Sequence, residues 1–300
     1  MDLGMLAPLK LGTTDIPAMG VQFIPGDQNA PIRRDGLRYA SALITPEKQP
    51  RLTFSTPLDY ARSLLSGFEL VEFPVCEWYD RTVGSDGKAA ATGTQYKIKT
   101  GARALAHIQD LAEGDGGIIV ANVEVIFLSG GVLNGVEDIF ETASAVTVPA
   151  ISTEPTYHVR GPVSIGGDVA GGVLSFSASS GNRVIATEPI NGKTYPEDLI
   201  YDGGERTISL GVRDLAAYAT AAGVDGKAFT TDVIVYLREI DRQGNAKTNG
   251  LSLTMANGRM NLSSNASVGA TTQGTLTFTP IDATANNADP IVIGTATSIP

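Results

Sequence analysis

Short runs of alternating residues dominate the chain. Val123, Val125 and Phe127 alternate with Asn122, Glu124 and Ile126, and Leu276 and Phe278 alternate with Thr275, Thr277 and Thr279. Successive side chains of a strand point to opposite faces, so a period of two predicts strands with one face in a core. Runs of this β type cover 51–55, 68–79, 95–100, 118–128, 173–178, 207–210, 232–240, 251–255 and 275–280. Asn-Gly and Asp-Gly pairs punctuate them at 35–36, 86–87, 115–116, 134–135, 191–192, 202–203, 225–226, 249–250 and 257–258. These dipeptides accept the positive φ that tight hairpin turns require.

Two segments carry a helical signature instead. At 58–66, Thr56 offers a cap, Pro57 suits the first helical position, Asp59 places an acid in the first turn, and Gly67 ends the run. The second spans 212–222, with Asp214 near its start and Gly223 just past its end. Each has only two or three turns, so each needs a sheet to pack on.

The two helical segments lie in matching frames. RLTFSTPLDYARSLLSG at 51–67 aligns with RTISLGVRDLAAYATAAG at 206–223, and Asp59 and Asp214 stand 155 residues apart. YKIKTGARALAHI from Tyr96 echoes LSLTMANGRMNL from Leu251 at the same offset. Asp80-Arg81 and Asp241-Arg242 recur at comparable places before turns, as strand-end residues or one side of an intersubunit ion pair. The expectation is two tandem copies of one mainly β domain with one short α-helix each. They occupy 1–135 and 156–300, joined by a linker at 136–155 that has room for a short acidic helix at 136–142. The period is a domain length, longer than the 20–50 residues of solenoid repeats.

Composition narrows the function. With 300 residues, 42% of them hydrophobic, each half can bury its own core, and 34 glycines suit many turns. Net charge is −10, and the densest basic group is Arg33, Arg34 and Arg38, so a phosphate-gripping stripe is absent. The lone Cys76 excludes an internal disulfide and lies in an apolar run that suits a packed thiol. The first residues lack the pattern of a signal peptide, and no apolar run reaches a membrane span, so folding in a cytoplasm is expected.

The search for chemistry returns little. His107 and His158 have no metal-type partner at i+3 or i+4, and no cysteine pair completes a zinc site. The nucleophile elbow and the phosphate-binding loop are both missing. Glu137, Asp138 and Glu141 lack the spacing of a calcium loop and read as a solvated face. Gly166-Gly167 and Gly171-Gly172 around Asp168 read as a flexible loop. The sequons at Asn261 and Asn265 carry no weight without a secretion signal. Neither catalysis, nor a metal, nor a cofactor is expected.

The order of strand, short capped helix, long strands with a Lys-bearing turn (Asp86-Gly87-Lys88; Asn245-Ala246-Lys247) and closing hairpins resembles the tail tube proteins of bacteriophages. It is similar in particular to major tail proteins of long non-contractile tails, which fuse two tube domains. That resemblance implies tail-tube-like β-sandwich or barrel domains in a structural virion subunit. Three chains would close a pseudo-hexameric ring, and stacked rings would conduct DNA through their lumen without binding it specifically. Its partners would be further copies, the tape measure, and the distal tail and terminator proteins, with assembly in the host cytoplasm. Segments 21–37, 129–155, 179–204 and 281–300 are candidates for contacts between rings. Another tail or baseplate component, or a β-sandwich adhesion module, are the alternatives.

Overall fold

The computed structural model describes residues 7–32, 42–65, 67–83, 88–129, 138–151, 155–186, 194–202, 204–214, 218, 230–241, 243–268, 271–281 and 290–300. The fold is mainly β, and one α-helix of more than one residue lies among the described residues.

In the first half, β1 (Ala7–Leu11) turns at Gly12 into β2 (Thr14–Ile24). The long hairpin of β3 (Asp27–Ile32) and β4 (Ala42–Lys48) follows, then β5 (Arg51–Pro57) and α1 (Leu58–Leu65). After them come β6 (Val71–Phe73), β7 (Cys76–Asp80), β8 (Thr92–Ile98), β9 (Arg103–Glu113), β10 (Ile119–Leu128) and β11 (Phe140–Thr147). Two layers result. One runs β11, β8, β7, β1 and residues 14–18 of β2; the other runs residues 19–24 of β2, then β5, β10 and β9. β2 passes between layers at Gly20, where φ is +61°.

The second half contains β12 (Tyr157–Ile165), β13 (Asp168–Val169), β14 (Val173–Ser179), β15 (Arg183–Ala186), β16 (Leu199–Asp202) and β17 (Thr207–Val212). It ends with β18 (Thr230–Ile240), β19 (Ala246–Val268), β20 (Thr271–Pro280) and β21 (Ile291–Ala296). The pairing order is the same as before. One layer runs β21, the start of β19, β18, β12 and β13, and the other runs β14, β17, β20 and the end of β19. β19 thus does the work of β8 and β9 together, and Asn257 (φ +53°) stands at its corner as Gly101 (φ +93°) stands between β8 and β9.

Burial follows the alternation. Leu52, Phe54, Ile108, Val123 and Val125 from one layer share a core with Leu9, Leu11, Ile16, Trp78 and Ile98 from the other. Leu58, Ala61 and Leu65 of α1 and the following Phe68 extend that core. In the second half, Ile208, Leu210, Leu276 and Phe278 pack with Val163, Val235, Leu253 and Ile291.

Three expectations need correction. Residues 138–142 are not helical; Phe140–Thr147 form β11, paired with β8, so the first unit reaches into the linker expected at 136–155. Its mostly exposed Glu-Thr-Ala-Ser run supplies no apolar helix face, but an edge strand needs only backbone pairing. Thr56 belongs to β5 and gives its hydroxyl to the Pro17 carbonyl (3.1 Å), not to the helix start. Gly166-Gly167 make the tight β12–β13 turn, both with positive φ, and are not part of a flexible loop. The second helix, at 212–222, lies almost wholly outside the described residues, and Val212 itself ends β17.

Candidate assembly surfaces

The two halves share one sheet. Ser177, Ala178 and Ser179 of β14 pair with Ala112, Leu111 and Asp110 of β9. Residues 19–24 of β2, then β5, β10, β9, β14, β17, β20 and the end of β19 therefore form a continuous run of strands. At its two ends, residues 19–24 of β2 and 260–268 of β19 each have a strand partner on one side only among the described residues.

One face of this sheet is core and the other is polar. On the polar face the second half presents hydroxyls, among them Ser177, Ser179, Thr207, Ser209, Thr277 and Thr279. The first half presents a network across adjacent strands. Ser55 donates to Asn122 (2.6 Å) and Asn122 to Asp110 (2.7 Å). Two residues along β10, Arg51 donates to Glu124 (2.8 Å), and His107 Nε2 lies 3.2 Å from the other Glu124 oxygen. Burial pushes the Glu124 carboxyl up, but hydrogen bonds from His107 and Arg51 outweigh it and hold the group below the usual carboxylate range.

The seam between halves has side-chain support. Ile118 bridges to Val159, and Arg160 pairs with Glu113 while donating to the Val173 (2.8 Å) and Leu174 (3.0 Å) carbonyls. Beyond β14, an arm of the second half folds over the first. Asn182 donates to the Phe68 carbonyl (2.6 Å), and the buried Arg206 lies 5.8 Å over the Phe68 ring while donating to Ser180 O and Asn182 Oδ1. Further along, Ser129 N donates to Pro196 O (2.8 Å), Arg103 to Glu197 O (2.6 Å) and Lys48 N to Thr194 O (2.9 Å). Val184 and Leu199 cover Leu105, Ile126 and Leu128, so an apolar spot in the polar face is closed. In its described part, segment 179–204 makes these contacts within the chain, while Ile200 and Tyr201 remain exposed.

The residues singled out in the sequence occupy structural places. Asp59 lies in the first turn of α1, and Gly67 (φ +93°) follows its end; Gly223 lies outside the described residues. Asp214 is exposed just after β17. Asp80 ends β7 opposite Thr94, with Arg81 next to it. Asp241 caps the β18–β19 turn, accepting from the amides of Gln243 (2.9 Å) and Asn245 (2.8 Å), and Arg242 lies outside the described residues. Of the acidic trio, Asp138 accepts from Tyr195 OH (2.9 Å), Glu141 is exposed on β11, and Glu137 lies outside the described residues.

The reactive residue types are likewise built in. Cys76 is buried, and burial with the nearby Glu77 charge pushes its thiol far up, away from the nucleophilic thiolate. His158 is buried between α1 and β18; desolvation lowers it despite Asp59 and Glu239, and Arg62 lowers it further. No group of three or more metal-ligating side chains occurs among the described residues. The seam strand β9 was not visible in the sequence, because Ala104–Ile108 is buried on both faces and does not alternate.

Compared with known proteins, the sequence matches no protein-family model and no curated protein.

Proposed function

We propose that this chain is the structural subunit of a phage-type tail tube, built from two tandem tube domains and assembling with copies of itself into stacked rings. The carrying observation is the continuous sheet: four strands from each half, joined at β9–β14, with strands at both ends that are paired on one side only among the described residues. Such edges are templates for pairing with another strand, and ring closure is one way to satisfy them. Repeated head-to-tail contacts that close by rotation do so.

Matched backbone landmarks support the tandem reading. Gly26 and Gly181 both have φ near +60°, and a Cβ on either would sit 2.0 or 2.3 Å from a backbone oxygen, of Gln49 or Glu205. Gly12 and Gly166 (φ +61° and +63°) open the matching first hairpins. Chance does not readily place the same turn geometry at spacings of 155 and 154 residues in the same pairing order.

Dimensions and chemistry suit a conduit. Three chains would contribute eight strands each. With strands ~4.8 Å apart and tilted ~40°, they enclose a backbone cylinder roughly 48 Å across. That is wide enough for a DNA duplex. The polar face would line it with hydroxyls, and the chain's negative charge disfavours tight binding of phosphates. In this reading the protein is not an enzyme and uses no cofactor. The test is negative-stain electron microscopy with sedimentation over a concentration series. Pseudo-sixfold rings of three chains, or tubes, are expected; a monomer at every concentration overturns the proposal.

A further inference from the structure

The seam inside the chain specifies the seam between chains. We infer that residues 22–24 of one copy pair antiparallel with residues 263–266 of the next, Ile24 opposite Ser263 and Phe23 opposite Ser264. This rests on the tube reading and adds the surface and register by which copies join.

Each free edge has a counterpart at the internal seam. Ile24, Phe23 and Gln22 lie beside Arg51, Leu52 and Thr53 of β5, as Ser179, Ala178 and Ser177 lie beside Thr207, Ile208 and Ser209 of β17. On the other side, Asp110 lies beside Asn122, which lies beside Ser55. Ser263 lies beside Thr275, which lies beside Gly211. Ser55 and Gly211 hold the same place, one residue past Phe54 and Leu210 on equivalent strands. The internal pairs Ser179–Asp110 and Ala178–Leu111 thus translate into Ile24–Ser263 and Phe23–Ser264. β9 has a register shift next to Asn122/Val123 and β19 one between Ser264 and Ala266, so Gln22 falls opposite Ala266 across the bulge.

The surface is ready for such a partner. Ile24 is 40% exposed, an apolar side chain uncovered on the polar face, and Ser263 is exposed directly on the other edge. A second copy satisfies both edges at once, because each chain carries one of each kind.

The test is an engineered disulfide. Opposed residues of an antiparallel pair have Cα atoms ~4.5–5.5 Å apart, within disulfide range. In the full chain, Ile24→Cys with Ser263→Cys is oxidised after assembly and run on a non-reducing denaturing gel. Buried Cys76 stays in place. The expected result is a covalent ladder that ends at three chains, while Ile24→Cys with the off-register Asn261→Cys gives none. Rings in the micrographs without this ladder overturn the register and leave the tube reading standing. Equal ladders from both pairs also overturn the register. A protein without assemblies at any concentration overturns both.

Discussion

Single residues decide the turns on which both halves depend. Gly26 and Gly181 combine positive φ with a Cβ position occupied by backbone, so Gly→Ala at either must distort the chain. Gly117 also has positive φ (+76°), but nothing lies within 4 Å of its Cβ position. Calorimetry should show Gly181→Ala costing clearly more than the ~1–3 kcal/mol of left-handed strain alone, and Gly117→Ala no more than that strain. Two buried titrating groups contribute to the pH response. The Glu124 carboxyl is held down in the fold, so its contribution is present above the unfolded pKa and fades as pH falls through the lower folded value. Glu124→Gln should therefore lower the urea midpoint at pH 7, and the gap to wild type should shrink towards pH 3. His158 resists protonation in the fold, so the unfolded chain gains protons first as pH drops below the ordinary histidine value. His158→Gln should flatten the loss of stability measured between pH 7 and 5.

Among elements, the arm at 180–206 differs most from what the sequence suggested. Its strands β15 and β16 were not legible, because its sparse apolar residues follow no period; its described part is held by Arg206, Asn182 and single contacts such as Pro196 O with Ser129. Arg206→Ala should speed amide hydrogen exchange at Lys48 and Ser129, which bond to the arm, and leave the β9–β10 amides unchanged. Strands with one wet face, such as β5, β17 and β20, were legible from alternation. β9 was not, since both faces are covered, and β11 was not, since its mostly exposed run does not alternate and its Glu and Ala residues have little β character. The Asn257-Gly258 pair read as a hairpin turn, yet it bends one strand at a corner. α1 was read to within a residue, because Pro57, Asp59 and Gly67 mark its ends; Leu58→Ala, at a fully buried position, should cost ~2–5 kcal/mol.

At the scale of the molecule, the proposed assembly would rest on backbone pairing and uncharged side chains, not on opposed charge. Ladder hydrogen bonds are short-ranged, whereas exposed ion pairs are screened within ~10 Å at 0.1 M salt. Sedimentation profiles should change little between low and moderately high salt; dissociation on adding salt would indicate an ionic interface. The candidate surface was the least legible part of all in the sequence. A free edge is a property of pairing, and no residue type marks it.

The connector between Thr147 and Tyr157 then acquires a particular meaning. On the tube reading, it is the covalent difference between the joint inside the chain and the joint proposed between neighbours. Cleaved there, the two pieces should remain together as a noncovalent complex. Conversely, a gene encoding three chains in series, with copies of that connector at the fusion points, should yield a monomeric polypeptide that is already a ring.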